Sequence, residues 1–274
     1  MAFETNSRRL EHWIESSQSR GILAFSIHEL RQNFKQDSET ALKQLLERLS
    51  ARGKIISIFK GYYLIIPAQY SSKGILPAAM FIDGLMKYIA REYYVGLLNA
   101  AALHGAAHQQ PQEYFVITEY PVLRPTNKKG IKINYISTKT LPPASLIEKR
   151  KTETGYINVS NPILTAIDLI NYEKKIGGLN RAASVISELM ESIKPKHINE
   201  DLINYASVTS LQRLGYILDQ ILNRKELAEK IYIHCKRAEK LFYLIPLKAS
   251  GEKRKENISE KWKLMINTEI NIDE

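Results

Sequence analysis

SIHELRQNFKQDSETALKQLLERLSARGKIISIFKGYYLIIP, residues 26–67, changes from helical to strand spacing part-way along, and that change decides how the front of the chain folds. Ser26 is a good N-cap, because its hydroxyl can accept from a first-turn N–H, and it opens a predicted helix over Ile27–Asn33 with Ile27, Leu30 and Phe34 facing inward. A polar turn follows at 35–37. Ser38 caps a further helix running to about Arg52, in which Leu42, Leu45, Leu46 and Leu49 fall at i, i+3, i+4 and i+7 along one stripe. Gly53 ends it. Two β-rich runs, at 55–59 and 62–66, are separated only by Lys60-Gly61, the spacing of a tight hairpin with glycine where positive φ is needed. Pro67 stops the second run, since it has no N–H to give a ladder.

Upstream, Leu10, Trp13 and Ile14 give residues 8–17 an apolar side, so another helix precedes the capped pair. Helix, helix, turn, helix, hairpin is the order of the winged helix-turn-helix, and residues 1–70 are expected to form such a domain on double-stranded DNA. With the leucine stripe buried, the other face of the third helix presents Thr40, Lys43, Gln44 and Glu47, with Ser38 near its start, as candidates for reading base edges in the major groove. Lys54, Lys60 and Tyr62 on the wing, with Arg31 and Lys35 beside the turn, are candidates for phosphates. A solvated face used for protein contact is the competing reading.

The bulk numbers agree with a polyanionic partner. Lys plus Arg total 39 against 29 for Asp plus Glu, a formal charge of +10, and each neutralised phosphate releases counterions. At 274 residues and 44% hydrophobic content the chain can bury a core in two domains. A single cysteine, Cys235, permits neither an internal disulfide nor a thiolate metal cluster. The charged start MAFETNSRRLEHWIESS does not resemble a signal peptide, and no apolar run approaches the roughly 20 residues of a membrane span, so a cytoplasmic protein with no membrane contact is expected.

Beyond the link QYSSKG at 69–74, a second domain over 75–274 is expected to be α+β, a mixed domain with a small sheet and a helical C-terminal half. Pro77 opens a helix to about Ala90, and 95–108 reads as an Ala-rich helix. Strand signals fall at 113–118, 131–136 and 156–159, and TNKKG at 126–130 reads as a turn. Pro162 behind Ser160 and Asn161 starts a helical pattern reaching about Phe242, through 179–193, 199–207, 210–222 and 224 onward. A basic, mobile stretch at 248–255 precedes a strand-like run at 262–266.

Candidate chemistry is sparse. His104 and His108 are spaced i, i+4 as a zinc site needs, but no further ligand follows and the Glu of HExxH is missing, so two polar caps at the end of an Ala-rich helix are the favoured reading. Asp83, Glu119 and Asp168 are carboxylates with nothing to bring any two together, and Asp168 sits among apolar neighbours as a helix-packing residue. There is no GxSxG, P-loop or GxGxxG, and Cys235, despite Lys236 and Arg237 beside it, reads as an inert hydrophobe. No enzyme activity, metal or cofactor is expected.

The segment YYVGLLNAAALHGAAHQQPQEYFVIT at 93–118 resembles the AbiEi antitoxins of type IV toxin–antitoxin systems. VSNPILTAIDLINY at 159–172, LQRLGYILDQI at 211–221 and KWKLMINTEI at 261–270 agree with it. The resemblance implies a two-domain antitoxin whose winged helix represses its own operon at operator repeats. It also implies a C-terminal domain that counters a nucleotidyltransferase toxin without a stable complex. The base-reading residues above come from the helix face, not from the family. Lys128, Lys129 and Lys132, with Lys149, Arg150 and Lys151, leave a second nucleic-acid contact open in the C-terminal domain. A monomer or a weak dimer formed on DNA is expected, and the alternative is a winged-helix regulator whose C-terminal domain is an enzyme on nucleic acid, nucleotide or the toxin.

Overall fold

The structure, a computed structural model, describes the backbone of residues 2–106, 111–250 and 257–272, with side chains from Arg8 onward. It is an α+β protein that divides into two compact units. One unit is drawn from Met1–Tyr93, Gln112–Lys139 and Lys149–Asn158, the other from Tyr94–Pro111, Thr140–Glu148 and Val159–Glu274.

The first unit opens with α1 (Ala2–Ser19), β1 (Ala24–Ser26), α2 (Ile27–Asn33), α3 (Glu39–Ala51), β2 (Ile55–Phe59) and β3 (Tyr62–Ile65). The caps act where the residue types place them. Ser26 Oγ accepts from Glu29 N–H at 3.1 Å while Glu29 Oε2 accepts from Ser26 N–H at 2.6 Å, a full capping box, and Ser38 Oγ accepts from Ala41 N–H at 3.2 Å. Leu42, Leu45, Leu46 and Leu49 are all buried, packed with Leu10, Ile14, Leu30 and Phe34. Burying each such side chain contributes about 1.5–3 kcal/mol, so the leucine stripe is the main anchor of α3. Trp13 meets Phe25 edge-on at 5.2 Å and closes the cluster under α1.

β1 is a strand that periodicity does not reveal, being only Ala24–Ser26, too short to show alternation. It pairs antiparallel with β3, giving the order β1-β3-β2, and the residue that ends it is also the cap of α2. The helix expected from Pro77 to Ala90 is interrupted: a 3-10 turn at Ala78–Met80 and a non-helical Phe81 precede α4 (Ile82–Tyr88). α4 then ends at Ala90, whose φ of +53° is the left-handed C-terminal closure.

A six-stranded sheet has the order β6-β7-β5-β4-β9-β8, formed by β4 (Tyr93–Val95), β5 (Glu113–Glu119), β6 (Thr126–Lys128), β7 (Ile131–Thr138), β8 (Ile147–Thr152) and β9 (Gly155–Ser160). β5 and β7 run parallel from Glu113↔Lys132 to Glu119↔Thr138, and β6 returns antiparallel along β7. Two expectations change here. Thr126 to Lys128 are strand rather than turn, and the turn itself is Lys129-Gly130, with φ of +47° and +81°, the double left-handed pair a two-residue hairpin requires. Val95 ends a strand rather than starting a helix; α5 runs over Leu97–Leu103. β8 was hidden by its run of charges, Glu148 to Lys151, which suits a strand at the end of the sheet because charge there discourages edge pairing.

The second unit is centred on α6 (Pro162–Asn171), started by Asn161, whose Oδ1 accepts from Leu164 N–H at 3.0 Å. Every residue from Pro162 to Ile170 is buried, so this helix is apolar all round, apart from Thr165 and Asp168. Around it come α7 (Glu173–Ile176), α8 (Leu179–Leu189), α9 (Glu200–Tyr205), α10 (Val208–Tyr216) and α11 (Lys225–Arg237), with a π-helical turn at Ile217–Ile221 between the last two. A small sheet of order β10-β12-β11 closes the chain, from β10 (Ile245–Pro246), β11 (Ile258–Ser259) and β12 (Leu264–Met265). The expected mobile stretch at 248–255 lies mostly outside the described residues.

Candidate nucleic-acid interface

The face of α3 opposite the leucines is solvent-exposed, and Ser38, Thr40, Lys43, Gln44 and Glu47 all lie on it. The side chains of Thr40, Lys43, Gln44 and Glu47 engage no hydrogen bond or ion pair among the described residues. Beside them a groove of about 730 Å³ runs between α2, α3 and the wing strands, with Arg31, Thr40, Lys43 and Glu47 on its walls and Leu42 and Leu46 in its floor. Ser57 and Tyr63 line it too, and sequence reasoning missed both. Period-2 alternation carries the signal: with Tyr62 and Leu64 inward, Tyr63 must face the other side.

Arg31 forms an ion pair with Glu39 at 2.8 Å. Both side chains are well exposed, so the pair is worth at most about 1 kcal/mol and Arg31 can exchange it for a phosphate. Lys35, Lys54 and Lys60 are exposed and carry no ion pair among the described residues. Tyr62 is a correction. Its ring turns inward, 5% exposed, onto Tyr88 at 5.2 Å, and its hydroxyl sits over Gly84, so it does not reach a phosphate. Burial, then the nearby Glu29 and Asp83 carboxylates, hold that phenol well above its ordinary pKa.

The other basic candidates form two sets. Lys128 and Lys129 are exposed at the β6–β7 turn, where β6 runs beside wing strand β2. Lys132, on β7, is exposed but tied to Glu113 at 2.5 Å, and Glu113 also accepts from Asn134, so its charge is partly compensated. Lys149 and Lys151 are exposed on β8, at the other end of the strand order, with Arg150 half-buried between them.

Among the described residues the candidate catalytic and metal-binding groups do not converge. His104 is the C-cap of α5 and its Nε2 donates to Ser160 O at 2.7 Å, which commits that nitrogen to a proton; His108 lies outside the described residues. Asp83 accepts from Tyr93 Oη at 3.1 Å and pairs with Lys87 at 2.7 Å. Glu119 is exposed at the end of β5, where its carbonyl accepts from Arg91 at 3.0 Å. Asp168 is sealed inside α6, its carboxyl bonded to Tyr94 and pushed up to about 8 by burial. Burial likewise pushes the Cys235 thiol up to about 11, so the basic flank does not activate it. Among the described residues no group of three His, Cys, Asp or Glu is placed to hold a metal, and no helix is long and apolar enough to cross a membrane.

The family model for the AbiEi antitoxin C-terminal domain matches residues 94–220. Over these residues the chain is similar to the AbiEi antitoxins. The match begins at Tyr94, the first residue of the second compact unit, and contains the whole of α6 and the carbonyl that His104 binds. An AbiEi domain supports an antitoxin role in a toxin–antitoxin system, which implies a toxin as partner. The winged helix lies outside the matched residues. No curated protein matches the chain by sequence. Among solved structures it is similar to the Rv2827c protein from Mycobacterium tuberculosis, at 12% identity and a TM-score of 0.64, over 92% of this chain and 88% of that one. At that identity the likeness is one of fold.

Proposed function

We propose that the chain is a DNA-binding autorepressor and the antitoxin of a type IV toxin–antitoxin system, countering a nucleotidyltransferase toxin without a stable complex and without catalysis of its own. The observation that carries the DNA half is the two-sided character of α3: leucines buried on one side, and Thr40, Lys43, Gln44 and Glu47 exposed on the other, with no hydrogen bond or ion pair among the described residues. Ser38, Arg31, Lys35, Lys54 and Lys60 supply donors and charge around that face for the phosphates on either side of a major groove. Lys128 and Lys129 beside β2 extend this basic border, and Lys132, Lys149, Arg150 and Lys151 are the more remote nucleic-acid contacts. The chain binds operator repeats as monomers or as a weak dimer formed on DNA, with residues 1–70 as reader and 75–274 as antitoxin.

The test is a mobility shift of the promoter fragment upstream of its own reading frame, titrated against salt. Binding is expected to weaken steeply, by about tenfold or more between 50 and 200 mM salt, and to exceed binding to an unrelated fragment. Equal shifts on both fragments would remove the repressor reading. A nucleotidyltransferase reading frame beside this one is expected, and co-expression with its product tests the antitoxin half: growth is rescued by the whole chain, and the lack of such a frame or failure of rescue refutes it.

A further inference from the structure

The wing of this winged helix is not a free arm. Its Lys60-Gly61 turn is held on one side by Ile27 N–H, which donates to Gly61 O at 2.8 Å, and on the other by α4, where Tyr88 Oη donates to Lys60 O at 3.1 Å. The second contact is close enough that a Cβ on Gly61 would stand 2.5 Å from Tyr88 Oη. Gly61 has a φ of +75°, so the turn needs glycine both for its backbone and for this approach. The Tyr88 ring also lies 5.2 Å from Tyr62 and 6.3 Å from His28 at the start of α2. Four residues earlier on the same face of α4, Gly84 leaves room for the Tyr62 hydroxyl, which a Cβ there would meet at 2.3 Å. One face of α4 thus seats the wing turn, the wing strand and the entrance of the helix-turn-helix together, while the Lys60 ammonium stays exposed, with no ion pair among the described residues.

We propose that Tyr88 is a positioning residue for duplex binding, fixing the wing turn so that Lys60 meets a DNA phosphate from a set place relative to α3. The proposal rests on the DNA reading above. It makes α4, which lies beyond residue 70, part of the working DNA-binding device, and it makes the wing a short rigid clamp rather than a probe of the minor groove.

The experiment is a double-mutant cycle in the full chain with Lys60→Ala, Tyr88→Ala and the combined variant, measured on the promoter fragment as affinity against salt. Lys60→Ala is expected to make the salt slope shallower by about 1. Tyr88→Ala is expected to weaken binding about 3- to 10-fold with a similar loss of slope, and the combined variant to bind within about twofold of Tyr88→Ala alone. Tyr88→Phe keeps the ring and loses only the bond to Lys60 O, so it should fall in between; it also decides the matter if the alanine variant unfolds. Effects that multiply independently, or a wild-type slope in Tyr88→Ala and Tyr88→Phe, would overturn the latch while leaving DNA binding intact. A wild-type chain that shows no salt-dependent binding would instead bring down the DNA reading, and the latch with it.

Discussion

Asp168 shows how much a single buried group can report. It is completely enclosed in α6, one oxygen has no partner, and Tyr94, itself bonded to Tyr205, is its hydrogen-bonding neighbour. Burial raises its pKa to about 8, so the folded chain keeps the proton at neutral pH while the unfolded chain releases it near the ordinary value of 3.8. Stability from this group is therefore complete below about pH 4, falls by up to about 1.4 kcal/mol per pH unit as pH rises through the window, and levels off above about pH 8. Asp168→Asn, which cannot ionise, should flatten that decline in denaturant melts at pH 5, 6.5 and 8. Parallel wild-type and variant curves would show that the carboxyl is not buried as described. The sequence already made Asp168 a packing residue from its apolar neighbours, but its protonation depends on the helices around α6, which no local pattern specifies.

At the scale of elements, the front of the chain was legible because each local rule agrees with the next. Ser26 and Ser38 cap, the leucines space, Gly53 and Pro67 stop, and the observed α2 and β2 have the bounds those residues predict. What stayed hidden has a physical cause in each case. β1 is too short to show a pattern, β8 carries charges that mask its period, and the hydroxyl of Tyr62 masks its place in the inward register. Leu45→Ala in α3 should cost about 2–5 kcal/mol in a urea melt, through a cavity in the cluster that anchors α3. At the far end of the chain Trp262 lies flat against Gly215 of α10, where a Cβ would come within 2.0–2.5 Å of its ring, and its Nε1 donates to Asp219 Oδ2 at 2.9 Å. Gly215→Ala should therefore destabilise the second unit by about 1–3 kcal/mol or more, read as a lower urea midpoint; an unchanged midpoint would mean that the C-terminal segment does not pack there.

Over the whole molecule, charge and architecture point the same way, with a formal +10 and Thr40, Lys43, Gln44 and Glu47 exposed on α3 in a chain whose residues 94–220 match the AbiEi antitoxin C-terminal domain. The antitoxin domain could be recognised from sequence through its own segments, whereas the role of α4 in seating the wing could not, because Gly84 and Tyr88 carry no motif. The proposed base-reading role of α3 can be measured base by base. Affinities of the wild type, Lys43→Ala, Gln44→Ala and Lys60→Ala should be compared on the operator and on a set of its single-base variants. Loss of Lys43 or Gln44 is predicted to erase discrimination of about 1–3 kcal/mol at one or two positions, while loss of Lys60 weakens all sequences alike. Unchanged base preference in both α3 variants would contradict the account.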